Sequence, residues 1–156
     1  MKRILAAILI IVCLASSAYA EFDQLLLIKY ESAAEMLGAP DLQKSVVSSF
    51  DNYFQFDFGQ LEIVFEMAPD NSVKNIVIYA EDDACAADFL GSCLATIYTF
   101  GDIDVKANGM LLMQFMSVRA GGESVPYNIG KDTFMITTRD MAKYVFIYMN
   151  IDTKNR

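Results

Sequence analysis

Residues 53–67, YFQFDFGQLEIVFEM, decide the fold of this chain. Apolar and polar residues alternate on both sides of Gly59-Gln60, and a pair of residues that begins with glycine is typical of a two-residue hairpin loop. Closing the loop pairs Phe56 with Ile63 and Phe54 with Phe65, so the apolar side chains meet on one face. A shift by one residue would turn all of them towards water, which makes the register well specified. The segment therefore predicts a hydrophobic β-hairpin that needs a second layer over it.

The N-terminal residues 1–20 have the three parts of a secretory signal peptide. Lys2 and Arg3 are followed by the apolar run 4–14 and by a small-residue cleavage pattern at residues 18–20. The apolar run is too short for a helix that crosses a bilayer, which takes about 20 residues. We expect cleavage before Glu21, a single domain over residues 21–151 and a polar tail over residues 152–156. Since the chain has no Asn-x-Ser/Thr glycosylation signal, a bacterial periplasm or the exterior is the expected destination.

Acidic residues outnumber basic ones. The full chain has a net charge of −8, and without Lys2 and Arg3 ten basic residues stand against twenty acidic ones, a net charge of −10. Such a surface repels nucleic acid and anionic lipid, and it favours a basic protein partner. We therefore expect no nucleic-acid binding and no stable membrane insertion after signal cleavage.

Helical and strand patterns alternate along the rest of the chain. Leu42, Val46 and Phe50 have the spacing of a second short helix that opens at Pro40-Asp41. Asn108-Gly109 is a hairpin signal, but the good helix formers around it favour a helix over residues 102–118. The strand over residues 73–80 is apolar on both sides, as in a central strand, with either Ile76 and Ile78 or the alternate residues facing the core. The remaining predictions are helices at 22–37 and 84–100, an edge strand at 125–129, and paired strands at 133–138 and 143–151.

This order predicts an α+β fold, a two-layer sandwich in which helices pack on one face of an antiparallel sheet of five to six strands. In element order alone it resembles the bacterial type III secretion chaperones, with no shared motif.

Catalytic and metal-binding patterns are few. The chain has no histidine, which excludes Ser-His-Asp and Cys-His catalysis and imidazole zinc sites. The predicted hairpin places Asp57 opposite Glu62, and two close carboxylates can act as an acid and a base. A mildly repulsive, solvated strand face explains the same pair without catalysis. We predict no cofactor and no metal.

Two cysteines, Cys85 and Cys93, follow the predicted signal peptide. Export would expose them to oxidising conditions, so a disulfide bond between them is the expectation. A continuous helix would hold their Cα atoms about 12 Å apart, at about 1.5 Å per residue, and a disulfide needs about 7 Å or less. The bond therefore requires Cys85 to precede the helix or the helix to break near Gly91.

A contact surface is the remaining functional signal. A four-residue loop between the last two strands would pair Ile136 with Val145 and Phe134 with Ile147 on one face. The other face would carry Tyr144, Phe146, Tyr148 and Met135, as an exposed patch for a partner or as core. Tyr53, Val64 and Tyr79 are a weaker candidate on the back of the first hairpin. The main hypothesis is a small exported, non-catalytic protein that binds a macromolecule, such as an inhibitor, an immunity-like protein or an envelope accessory factor. The alternatives are a carboxylate-dependent hydrolase that uses Asp57 and Glu62, and a small-ligand carrier with a pocket between sheet and helices.

Overall fold

The computed structural model describes residues 24–70, 72–101, 105–139 and 142–150. The predicted signal peptide, its cleavage site and the polar tail lie outside these residues. The helices are α1 (Gln24–Leu37), α2 (Ala86–Phe100) and α3 (Val105–Arg119). The strands are β1 (Val46–Phe50), β2 (Tyr53–Asp57), β3 (Leu61–Met67), β4 (Val73–Ala80), β5 (Tyr127–Ile129), β6 (Asp132–Arg139) and β7 (Ala142–Asn150).

The aromatic hairpin of β2 and β3 forms in the predicted register. Phe54 lies opposite Phe65 and Phe56 opposite Ile63. The N–H of Phe58 donates to the carbonyl of Leu61 at 2.9 Å, which closes the two-residue loop. Gly59 has a φ of 89°, a value that L side chains rarely adopt, so glycine is needed at this position. The apolar side chains of both strands are buried on one face, as the alternation predicts.

All seven strands pair antiparallel in the order β1-β2-β3-β4-β7-β6-β5. The α+β prediction is confirmed, with more strands than the five to six expected. β4 is the middle strand, and its register buries Ile76 and Ile78. β5 lies at the edge of the sheet and begins directly after Pro126. The edge position was expected, because a proline has no N–H to donate to a neighbouring strand.

The predicted second short helix is wrong. Asp41 caps a single 3-10 turn, Leu42–Lys44, by accepting a hydrogen bond from the backbone of Gln43 at 3.0 Å. The chain then enters β1, where the β-branched Val46 and Val47 favour extended backbone and β2 supplies a pairing partner. Of the predicted helical stripe only Leu42 is buried.

The helices cover one face of the sheet. In α1, Tyr30 packs edge-on against Phe65 of β3, with ring centroids 5.5 Å apart. α1 also lies close to α2, because a Cβ on Gly91 would come within 2.6 Å of the backbone of Gly38. In α3, Phe115 packs on Tyr144 at 4.9 Å. The layer between sheet and helices is therefore filled by aromatic rings.

Residues 105–119 form a helix, as favoured over the hairpin that Asn108-Gly109 suggests; residues 102–104 lie outside the described part of the chain. Gln114 of this helix is buried and joins it to the sheet. Its side-chain amide donates to the carbonyl of Val125 at 2.7 Å, and its oxygen accepts from the N–H of Ile136 at 2.9 Å. None of the described helices is both long enough and apolar enough to span a bilayer.

The predicted pairing of β6 with β7 is wrong by one residue. Ile136 lies opposite Phe146 and Phe134 opposite Tyr148, whereas the sequence suggested Val145 and Ile147 as their partners. The strands turn between Arg139 and Ala142, and the register shifts between Thr137 and Arg139. Because side chains alternate between faces, this shift puts the aromatic residues of β7 on the face of Phe134 and Ile136, and puts Ile147 on the face of Met135.

Candidate functional site

The candidate site is the open face of the sheet, the side opposite the helices. Three rows of side chains cross it, as the strand registers show. The middle row runs from Ser48 through Gln55, Val64, Val77 and Ile147 to Met135. The first flanking row consists of Val46, Asp57, Glu62, Tyr79, Val145 and Thr137. The second consists of Phe50, Tyr53, Glu66, Asn75, Met149 and Thr133. Towards the β6–β7 side of these two rows, Val145 and Thr133 are buried.

The middle row is apolar over four adjacent strands. Val64, Val77, Ile147 and Met135 are each half-buried by their neighbours, and within the described residues no helix packs over them. Antiparallel neighbours in register lie about 5 Å apart, so the four side chains form a continuous strip. Apolar strips of this kind, with polar groups around them, are typical of interaction sites.

Carboxylates flank the strip on the β2–β3 side. Glu66 is already paired: Lys74 donates to it at 2.8 Å and Asn75 at 2.7 Å, and these hydrogen bonds lower the pKa of Glu66. Glu62 differs, because no ion pair to it occurs among the described residues. Partial burial, followed by the nearby carboxylates of Asp57 and Glu81, raises the pKa of Glu62. Glu62 is thus a carboxylate that a cation would stabilise.

A cleft of about 640 Å³ opens at one end of the open face. Its walls include Glu62 of β3, Tyr79 of β4, Glu81 directly after β4, and Arg139 at the end of β6. The turn between β2 and β3 is held against the end of β4, since the N–H of Glu81 donates to the carbonyl of Gln60 at 3.0 Å. The cleft joins two carboxylates, one guanidinium and an aromatic ring, a combination suited to a polar or charged side chain.

The predicted catalytic candidates, Asp57 and Glu62, lie opposite each other in the hairpin. Their surroundings differ. Asp57 accepts a hydrogen bond from the N–H of Gly59 at 2.7 Å, which is a local turn contact, and Glu62 lines the cleft whereas Asp57 does not. The register thus brings the two residues together, but only one of them reaches a space that a substrate would occupy.

Tyr144, Phe146 and Tyr148 lie in the core, with exposed fractions of 0%, 0% and 1%. They therefore do not form the exposed patch considered from the sequence. Tyrosine hydroxyls need partners when buried, and here Tyr144 donates to Asp83 and Tyr148 to Asp132. Met135, the fourth member of that group, lies on the other side of the sheet, in the middle row of the open face.

Asp83 ties the two layers together at one end of the molecule. It accepts hydrogen bonds from Lys143 and Tyr144, and its Oδ1 lies 3.8 Å from Nε of Arg119. The hydrogen bond from Lys143, followed by that from Tyr144, lowers the pKa of Asp83. Burial, followed by the contact with Asp83, raises the pKa of Tyr144 to about 12. This cluster is a structural tie between α3, β7 and the loop after β4.

The predicted disulfide bond is absent, since Cys85 and Cys93 are free and buried. Cys85 does precede α2, as a bond would require, but it lies directly at the helix start and the helix continues through Gly91. Eight residues of helical rise therefore separate the two cysteines. Burial raises the pKa of the Cys93 thiol well above its usual value, so this residue is an unreactive core side chain.

The described residues contain no group of three or more Cys, Asp or Glu side chains placed to hold a metal ion. The sequence patterns did not identify three residues of the candidate site: Ile147 was placed opposite Phe134 instead of Met135, and Glu81 and Arg139 were not linked to the site. The size of the side chains on β7 could have indicated which of its faces is buried. On β7 the three aromatics alternate with the smaller Val145, Ile147 and Met149, and large rings favour the buried face.

Comparisons of the chain with protein-family models, with curated proteins and with solved structures found no match.

Proposed function

We propose that this chain is a small exported, non-catalytic protein that binds a basic protein partner through the open face of its sheet. The observation that carries this proposal is the apolar strip of Val64, Val77, Ile147 and Met135, which crosses four strands and is only half-buried. In a domain that has buried its aromatic residues under helices, a second apolar face is explained by a partner that covers it.

The charges around the strip indicate the chemistry of the partner. Asp57 and Glu62 lie on one side of it and Glu66 on the other, and the chain as a whole is acidic. The raised pKa of Glu62 reflects a carboxylate that lacks compensation in the free protein. A lysine or arginine side chain in the cleft would supply that compensation between Glu62 and Glu81. The expected ligand is thus a protein segment with apolar residues for the strip and a basic residue for the cleft.

The hydrolase and carrier alternatives have less support. Hydrolysis by a carboxylate pair needs both groups at the substrate, and Asp57 contacts the turn. A carrier needs space between sheet and helices, where aromatic rings pack 4.9 to 6.5 Å apart.

Site-directed photocrosslinking in the exported fraction tests the proposal. A photoreactive residue at Ile147 should form a covalent adduct with a specific protein, and the same residue at exposed Leu112 on α3 should not. The double variant Val77→Ser/Glu62→Gln should weaken the binding of the captured protein by about tenfold or more, since each lost contact costs about 1 kcal/mol.

The matched control is Val105→Ser/Glu35→Gln, which makes the same two changes at exposed positions on α3 and α1, on the helix side of the sheet. Equal adducts from residues 112 and 147, or unchanged binding by the open-face double variant, would exclude the open face as the binding surface.

A further inference from the structure

The outer edge of β1 has no protecting segment among the residues that the structure describes. β1 is the first strand of the sheet, and in the described part of the chain nothing pairs with its other side. Its five residues, VVSSF, carry no charge, and the side chains of Val46 and Phe50 are 71% and 74% exposed. Natural sheets usually block such an edge with charges, proline or a covering segment, because it is a template for another strand.

The hairpin registers determine which backbone groups of β1 point outward. Hydrogen-bonded and non-hydrogen-bonded pairs alternate along antiparallel strands. Since the backbone of Phe58 is hydrogen-bonded to that of Leu61, the alternation places the backbone hydrogen bonds of residues 56 and 54 towards β3 as well. Residues 57, 55 and 53 therefore direct their N–H and carbonyl groups towards β1. Their partners on β1 are residues 46, 48 and 50. The N–H and carbonyl groups of Val47 and Ser49 therefore point away from the sheet.

We infer that β1 pairs antiparallel with β1 of a second copy of this chain, centred on Ser48. In this register Val47 lies opposite Ser49 of the second copy, so all four outward-pointing residues of the two strands form ladder hydrogen bonds. A register displaced by two residues would leave some of these groups unpaired. Two seven-stranded sheets would then continue as one.

Side chains support the same register. Val46 lies opposite Phe50 of the second copy, in a non-hydrogen-bonded pair, where side chains approach most closely. Because the dimer has two-fold symmetry, this contact between Val46 of one copy and Phe50 of the other occurs twice. A second copy is therefore favoured over an unrelated strand because β1 is complementary to itself in hydrogen bonds and in apolar side chains.

The opposite edge of the sheet, formed by β5, is protected against pairing with another strand. β5 has three residues and follows Pro126. Where β5 ends, the N–H of Ile136 on β6 would point to solvent, and the side chain of Gln114 accepts its hydrogen bond. One edge is closed by a proline and a side-chain amide, whereas β1 has neither. The inference does not depend on the function of the open face.

Two variants of β1 test the register directly. With the two-fold axis at residue 48, Ser48→Cys places two thiols opposite each other in a non-hydrogen-bonded pair, and mild oxidation with diamide should give a covalent dimer. Ser49→Cys is the matched control, one residue away and equally exposed, because its side chain points to the other face and lies opposite Val47. We expect the Ser48→Cys dimer to form at least tenfold faster.

Sedimentation of the chain over a range of concentrations tests the contact without cysteines. A five-residue edge buries little area, so the wild-type dimer should be weak, with a dissociation constant in the micromolar range or above. Val46→Lys/Phe50→Lys should raise that constant at least tenfold, and Val125→Lys, an equally exposed valine near the other edge, should leave it unchanged. Circular dichroism checks that each variant is folded. A chain that stays monomeric at millimolar concentration, a dimer insensitive to the double lysine variant, or equal crosslinking of the two cysteine variants would overturn the inference.

Discussion

The two faces of the sheet are built from the same strands but differ in what covers them. On β3, Phe65 is fully buried and contacts Phe56 and Tyr30 at centroid distances of 5.6 and 5.5 Å, whereas its neighbour Val64 is half-buried. β7 shows the same contrast between Phe146 and Ile147. On β4 and β7 both faces are apolar, so on these two strands the alternation of polar and apolar residues does not separate the faces. The helices make one face the core and leave the other as a candidate binding surface.

The largest expected difference is in stability at adjacent residues of β3. Phe65→Ala should lower the free energy of unfolding by about 3–5 kcal/mol, because it removes a buried ring and leaves a cavity among aromatic neighbours. Val64→Ala should lower it by about 1 kcal/mol or less, since its site is open to water on one side. Urea denaturation of the two variants measures both values. Similar losses would mean that the open face is covered like the core.

A smaller effect is expected at Asp83, on the helix side. Its lowered pKa means that the folded chain favours the ionised carboxylate, so Asp83 stabilises the fold above the ordinary aspartate pKa of about 4. That stabilisation is lost as the pH falls through the lowered folded value. Asp83→Asn should therefore reduce stability at neutral pH, and its difference from the wild type should shrink in acid. Thermal unfolding between about pH 2 and pH 7 measures this, and a deficit that persists in acid would contradict it.

Glu62, on the open face, should give the smallest effect and the opposite sign. Its pKa is raised, so the folded chain disfavours the charged form, and stability falls as the pH rises from the ordinary glutamate pKa of about 4.3 through the raised value. Glu62→Gln should be more stable than the wild type at neutral pH and no different in acid.

Glu66→Gln is the matched control on the same strand and face. The pKa of Glu66 is lowered by its hydrogen bonds from Lys74 and Asn75, so this variant should lose stability at neutral pH. Two variants that shift stability in the same direction would contradict the distinction between the paired and the unpaired glutamate.

Local patterns predicted the parts of the fold that depend on neighbours in sequence. The β2–β3 register follows from a two-residue loop with glycine first, and the edge position of β5 from Pro126. The helix over Val105–Arg119 was predictable from its helix-forming residues in spite of Asn108-Gly109. Of the candidate site, the Asp57–Glu62 pairing and the place of Val64 on the back of the hairpin followed from the same local register.

Long-range contacts decided the rest. Val46 to Phe50 have a helical spacing, but pairing with β2 makes them a strand. The register shift near the β6–β7 turn, which the loop residues do not reveal, sends Tyr144 and Tyr148 into the core and Ile147 to the open face. Cys85 and Cys93 stay apart because α2 is continuous between them.

Residues close in the chain therefore settled the type of most helices and strands, though not of β1, and the pairing of the first hairpin, because turn geometry and side-chain alternation act over a few positions. Which apolar face is buried was settled by where the helices pack, since both faces of β4 and β7 carry residues that water disfavours. The cleft beside Glu62 likewise exists only because three separate segments meet at one end of the sheet.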